Sequence, residues 1–203
     1  MALRLSGGRK LQSPPGDTAR PTPSRVRLAV MNMLSAELPG ARWLDLCCGS
    51  GVMGCEALQR GAVEVVAVDQ DRRMAGTARS NLELVAAAQT PPARVTVVSQ
   101  EVLRWLRQVP DAGSASNTEG AAAGFDLIYA DPPYAAGLYG AIAKAVAERG
   151  WLKDTGVLLL ECGSGNVPEE LPGWRLVKER RYGGSTVLML QQPNNADKQQ
   201  TMR

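Results

Sequence analysis

The chain has 203 residues, a formal net charge of +3, four cysteines and no histidine. That length suits one well-buried domain with an appendage. No apolar run approaches the roughly 20 residues of a membrane span, and the leading "MALRLSGGRKLQSPPG" lacks the apolar stretch of a secretory signal, so a cytoplasmic protein is expected. Without histidine, catalysis has neither the usual near-neutral general base nor the commonest metal ligand; Cys47, Cys48, Cys55 and Cys162 have neither disulfide-framework nor zinc spacing, and no metal is expected.

Residues 1–27 carry Arg4, Arg9, Lys10, Arg20, Arg25 and Arg27 against Asp17 alone, which concentrates the positive charge in an N-terminal arm. Such an arm reads either as a solvated tail or as a phosphate-binding strip. Beyond Pro23, Val26, Ala29, Val30, Met33 and Leu34 recur at helical spacing after a Ser24 cap, and this helix is expected to end near Leu38-Pro39-Gly40. Strand-like and helix-like segments then alternate: "ARWLDLCC", a helix from about Gly51 to Gln59, "VEVVAVD", a helix from about Asp71 to Ala87, and "RVTVVS". A short helix around Val102 to Arg107, "FDLIYA", a helix from about Leu138 to Arg149 and "GVLLLEC" complete the series. Strands separated by helices of this length predict a doubly wound, Rossmann-like α/β fold. "WRLVKERRYGGSTVLMLQQ" reads as two strands joined through Gly183-Gly184, too short a link for a parallel crossover, so the mostly parallel seven-stranded sheet should finish in an antiparallel hairpin. The expected organisation is an arm and helix over 1–40 and a main domain over 41–190, with disorder at 110–124 and in the tail, 191–203.

Chemistry is expected where the strands end. In "WLDLCCGSGVMGCEAL" an apolar strand runs into Gly49-Ser50-Gly51 and then a helix, and glycines there let a ligand approach free N–H groups. A tight strand-to-helix turn alone also calls for glycine. Twenty positions after Gly49, Asp69 ends the next strand, where a carboxylate accepts from both hydroxyls of a ribose; Asp71 competes for the role of helix cap. Asp45, just before the glycines, would repel a pyrophosphate but suits a ligand bearing an ammonium group. "YADPPY" puts Asp131 at the tip of the fourth strand, on the same crevice. An aromatic-ring amine is a poor nucleophile because its lone pair is delocalised. The Asp131 carboxylate and the Pro132 carbonyl can accept its two N–H bonds, Pro133 stiffens the loop, and Tyr134 offers a stacking face.

The pattern from Asp45 to Gly51 resembles the first motif of class I S-adenosylmethionine-dependent methyltransferases, and "DPPY" resembles the turn with which related enzymes methylate exocyclic amines of nucleobases. The resemblance implies S-adenosylmethionine as cofactor, held by Asp45, Cys47, Gly49, Ser50, Gly51, Asp69, Gln70, Glu101 and Val102, with Asp131, Pro132, Pro133 and Tyr134 catalytic. The arm "GGRKLQSPPGDTARPTPSRVRLAVMNML" is similar to the N-terminal signature of the RsmD family, whose members methylate N2 of a guanine in small-subunit (16S) ribosomal RNA. Here the Gly-Gly lies closer to Arg-Lys-Leu than in that family, and Met31 replaces an aromatic before Asn32. This resemblance implies RNA contacts at Arg9, Lys10, Arg20, Thr22, Arg25 and Arg27, in a monomer that acts on 16S ribosomal RNA within a small-subunit particle and has no membrane partner. Arg175, Lys178, Arg180 and Arg181 near the last hairpin read either as an extension of that surface or as a solvated edge strand. Two other readings stay open: a methylase of DNA or another nucleic acid, and a non-catalytic ribosome-assembly factor with the same fold. A nicotinamide-dependent dehydrogenase is disfavoured by Asp45 and by the paired prolines.

Overall fold

The computed structural model describes residues 3–13, 22–108 and 124–193. Seven strands form one sheet: β1 (Arg42–Leu46), β2 (Glu64–Asp69), β3 (Arg94–Ser99), β4 (Phe125–Ala130), β5 (Leu152–Gly163), β6 (Arg175–Tyr182) and β7 (Ser185–Gln191). Their order is β3-β2-β1-β4-β5-β7-β6. The first five pair in parallel and β7 is antiparallel to both β5 and β6. This is the expected doubly wound sheet with its terminal hairpin. The chain leaves β1 toward β2 on one side and enters β4 on the other, so the connections diverge between β1 and β4 and open a crevice at their carboxyl ends.

Helices α1 (Ser24–Met33), α2 (Val52–Gln59) and α3 (Arg72–Ala86) pack on one face, and α4 (Val102–Leu106) and α5 (Tyr139–Arg149) on the other. The apolar strands explain the arrangement. Trp43, Val65, Leu127, Leu159 and Val187 point to the first face, while Leu44, Val66, Ile128, Leu158 and Leu188 point to the second. Each fully buried Leu, Ile or Val contributes about 1.5–3 kcal/mol against about 0–1 kcal/mol for an exposed ion pair, so the two cores rather than the surface charges hold the sheet.

Acids buried or half-buried away from the crevice are paired. Glu64 lies 2.8 Å from Arg42 and 2.9 Å from Arg94, Asp126 lies 2.7 Å from Lys153, and Glu56 is flanked by Arg27 at 3.4 Å and Arg60 at 2.8 Å. These pairs satisfy the rule that a charge leaves water only with a partner.

The N-terminal region departs from expectation. Ser24 is the first helical residue of α1 rather than its cap; Pro23 precedes it, and the Pro23 carbonyl accepts from Val26 N at 2.9 Å and Arg27 N at 3.1 Å with no side-chain cap. The fixed φ of Pro23 starts the helix without a hydroxyl. The α-helix stops at Met33, and the chain reaches Leu38 through further turns, with Leu38 N bonded to Leu34 O at 3.0 Å. Residues 3–11 are not a solvated tail. Leu5 N bonds to Arg9 O and Leu11 N to Leu3 O, both at 2.9 Å, and Leu3, Leu5 and Leu11 are buried in the first core. Ser6 donates through N and Oγ to Glu56, and Gln12 N donates to Asn81, so this hairpin is stitched to α2 and α3. In the tail, β7 continues through Gln191. The remaining readings of disorder at 110–124 and beyond 193 lie outside the described residues, as does Arg20, save for Gly124, which is described.

Candidate active site

The turn after β1 is built from residues that tolerate a left-handed backbone. Cys47 has φ 61°, Gly49 φ 54° and Gly51 φ 73°. Space beside Gly49 is open, whereas a Cβ on Gly51 would meet Ala78 Cβ at 3.0 Å. Gly51 precedes α2 with no side-chain cap, which leaves the first N–H groups of α2 facing the crevice. Gly54 answers a packing need that the motif alone does not reveal: a Cβ there would come within 2.9 Å of Val65 and 3.0 Å of Leu82. Ser50 is buried, and its carbonyl accepts from Asn81 at 3.0 Å, fixing the turn from behind.

The strand tips bring the expected acids together. Asp45, 1% exposed, accepts from Gly54 N at 3.1 Å. Its carboxyl is pushed well above the usual range, first by burial and then by the charges of Asp131 and Asp69, with the Gly54 N–H opposing. Asp69 accepts from Gly49 N at 2.8 Å and from Asp71 N at 2.9 Å, so it shapes the glycine turn while keeping lone pairs for a diol. Burial is the main reason its pKa is raised. Asp71 is the cap of α3, accepting from Arg73 N and Met74 N. Glu101 caps α4 with both oxygens, accepting from Leu103 N at 2.9 Å and Arg104 N at 2.7 Å. Gln70 is exposed and Val102 buried on either side of the same rim. Burial and the surrounding acids push the Cys47 thiol up to about 12, so at neutral pH it is an uncharged wall and no nucleophile.

Asp131 follows β4 directly, its N–H donating to Leu46 O at 3.3 Å across the switch point. Its carboxyl is pushed up to about 8, first by burial and then by Glu161, with Thr22 opposing as a hydrogen-bond partner. Pro132 is buried and Pro133 exposed, with Pro133 at φ −52° and ψ 127° holding an extended turn into a single 3-10 turn, Tyr134–Ala136. Tyr134 is 41% exposed yet held. Its hydroxyl lies 3.1 Å from Ser185 Oγ, its carbonyl accepts from Asn166 Nδ2 at 3.2 Å, and its ring lies where a Cβ on Gly163 would come within 2.9 Å.

The arm residues do not act as a group. Arg27 is corrected from an RNA contact to an internal strut: it is 5% exposed, and its guanidinium is consumed by Glu56 at 3.4 Å, Thr22 O at 2.9 Å and Arg4 O at 2.7 Å. The cause is Glu56, fully buried on α2, which requires a cation. Arg27 thereby seats Thr22, whose half-buried side chain lies beside Asp131. Arg9 donates to Leu84 O at 3.3 Å near the end of α3, beside a cavity of about 480 Å³ at the amino ends of the strands, away from Asp131. Lys10 and Arg25 are exposed, and Arg25 reaches within 3.5 Å of the position a Cβ would take on Gly183, at the β6–β7 turn. Arg175, Arg180 and Arg181 are exposed along the edge strand β6, with Lys178 half-buried.

One acid of the site carries no local signal in the sequence. Glu161, on β5, is 1% exposed and accepts from the buried Tyr129 hydroxyl. Four acids thus meet at one end of the sheet: Asp45 and Glu161, buried, and Asp69 and Asp131, half-buried, have no cation partner among the described residues, whereas Glu56, Glu64 and Asp126 are all paired.

The family model described as conserved hypothetical protein 95 matches residues 5–191. The chain belongs to that family. It is 29% identical over 186 residues to ribosomal RNA small subunit methyltransferase D of Escherichia coli (strain K12), covering 89% of this chain and 85% of that protein. It is 27% identical over 176 residues to the protein of that name from Haemophilus influenzae, covering 87% and 84%. The solved structure of Escherichia coli yhhF superposes with a TM-score of 0.76 at 28% identity, covering 96% of this chain and all of that one. The fold is shared with the T. thermophilus 16S rRNA N2 methyltransferase RsmC, solved with AdoMet and guanosine, at a TM-score of 0.65 and 21% identity, over 95% of this chain and 50% of that chain.

Proposed function

We propose that this protein transfers a methyl group from S-adenosylmethionine to the exocyclic N2 amine of a guanine in small-subunit (16S) ribosomal RNA. The observation that carries the reading is the set of four uncompensated acids at the carboxyl ends of β1, β2, β4 and β5, with Asp131 opening an Asp-Pro-Pro-Tyr turn. Carboxyls with pKa values raised by burial and by one another, grouped at the mouth of a crevice, mark a candidate functional site that a cationic ligand would suit. The names of the small-subunit methyltransferase D relatives support ribosomal RNA as the substrate class, and RsmC's bound AdoMet and guanosine support the cofactor and the base.

The residues fit the cofactor. Asp45 lies where an ammonium group would find a carboxylate, Asp69 has lone pairs for a ribose diol, and the open side of Gly49 allows close approach. When bound, S-adenosylmethionine supplies an electrophilic methyl group on a sulfonium, so no general base is needed to activate the donor. The protein's own work is alignment. Asp131, ionised as pH rises through about 8, and the Pro132 carbonyl accept the two amine N–H bonds and aim the nitrogen lone pair, Tyr134 stacks on the base, and the ionised carboxyl of Asp131 takes the proton that the methylated amine releases.

Labelled cofactor incubated with 16S ribosomal RNA, with partly assembled small subunits and with DNA tests the reading. Transfer to a guanine of the RNA or the particle is expected; transfer to DNA alone would sink it.

A further inference from the structure

Glu161 has no part in the amine-binding turn, yet everything that turn rests on leads back to it. Ala130 pairs with Leu160 across β4 and β5, so Asp131 and Glu161 come next on adjacent strands, and both lie on the face of Tyr129 and Leu159. The Glu161 carboxylate accepts from the Tyr129 hydroxyl, and Tyr129 in turn stacks on Trp43 with centroids 6.0 Å apart. Ser185, at the start of β7, pairs with Gly163, two residues on from Glu161 and on the same face, which brings its hydroxyl toward the Glu161 carboxylate. A serine hydroxyl has a single proton; given to Glu161, it leaves Ser185 Oγ to accept from the Tyr134 hydroxyl 3.1 Å away. One buried carboxylate therefore orders a chain that runs from the strand beneath Asp131 to the exposed ring of Tyr134.

We propose that Glu161 is a positioning residue for amine methylation: through Tyr129 it fixes the strand that presents Asp131, and through Ser185 it fixes the base-stacking ring of Tyr134. This rests on the methyl-transfer reading above. The groups facing the pair are Asp45 from β1, Tyr129 from β4, Cys162 from β5, Ser185 from β7, Tyr134, Tyr139 of α5, Cys47 and the Thr22 hydroxyl. No lysine or arginine is paired with either acid among the described residues. A like charge at this range disfavours ionisation of its neighbour by about one pH unit or more, and desolvation acts in the same direction.

Glu161→Gln keeps the shape and an acceptor for Tyr129 but removes the charge. Methyl transfer to 16S ribosomal RNA and to partly assembled small subunits, followed between about pH 6 and pH 9, should show the acid limb of the variant's rate profile moved about one unit to lower pH. Melting curves over the same range need no substrate and should fall less steeply with pH in the variant than in the wild type. Ser185→Ala should raise KM for the RNA about fivefold and leave kcat nearly unchanged, because it loosens the stacking ring without touching the amine acceptors. A wild type that methylates neither RNA nor particle would refute the methyl-transfer reading, while the melting curves would still judge the coupling. Superimposable pH dependences of melting in wild type and Glu161→Gln overturn the inference, as does an RNA KM unmoved by Ser185→Ala in an active enzyme.

Discussion

Replacing Asp131 by Asn is expected to make the folded protein more stable near neutral pH. In the fold its carboxyl is pushed up to about 8, first by burial and then by Glu161, from an ordinary value of 3.8 that the unfolded chain retains. Between those two values the folded state holds a proton that the unfolded state has released. The group's full contribution is present below the unfolded value and is lost as pH rises through the folded one, at about 1.4 kcal/mol per pH unit. From pH 5 to pH 8 the loss reaches about 4 kcal/mol, or about 10 °C in melting temperature for a chain of this size. Glu161 titrates with Asp131, so this is the upper bound for Asp131 alone. Asn has the same shape and no proton to lose. Calorimetric melts of both proteins at matched pH should therefore give a melting-temperature gap that widens from pH 5 to pH 8 and levels off above it. Parallel curves at all pH values would refute the claim that this carboxyl is protonated in the resting fold.

Asp45→Asn should likewise stabilise the fold above the ordinary carboxylate range, because its raised carboxyl follows the same sign, while weakening S-adenosylmethionine binding about tenfold or more in titration calorimetry. Gly54→Ala should cost about 1–3 kcal/mol in urea unfolding, since its Cβ would press into Val65 and Leu82 where α2 meets β2. Arg27→Met should cost about 1–3 kcal/mol, because Glu56 keeps Arg60 and Ser6 but the Thr22 and Arg4 carbonyls lose their donor, and that loss would appear in unfolding without any RNA present.

The parts of the site legible in the sequence are those with local signals. Asp69 and Asp131 each close an apolar run, Gly49 and Gly51 mark a turn, and the prolines after Asp131 forbid a continuing strand. These cues follow from the backbone within a few residues, and the fold follows from the same alternation of strands and helices. Glu161 was hidden because "GVLLLEC" reads as an ordinary buried strand; its meaning comes from register with Asp131, thirty positions earlier, and from Ser185 on β7. Arg27 was misread for the same reason. Its partner Glu56 lies 29 residues away on another helix, and a basic residue in a basic arm carries no local mark of burial. Thr22 sits in that arm but is half-buried, seated by Arg27. Charge counted along the chain therefore overstated the outward-facing strip, which retains Lys10 and Arg25 among the described residues, with Arg175, Arg180 and Arg181 on β6.

The most direct test of the central claim is nucleoside mass mapping of 16S ribosomal RNA from cells that carry this gene, lack it, or carry it with Asp131→Ala. One N2-methylguanosine should be present with the wild-type gene and missing in the other two, while the purified variant still binds S-adenosylmethionine. An unchanged methylation pattern in cells lacking the gene, or full methylation by the Asp131→Ala protein, would contradict the account.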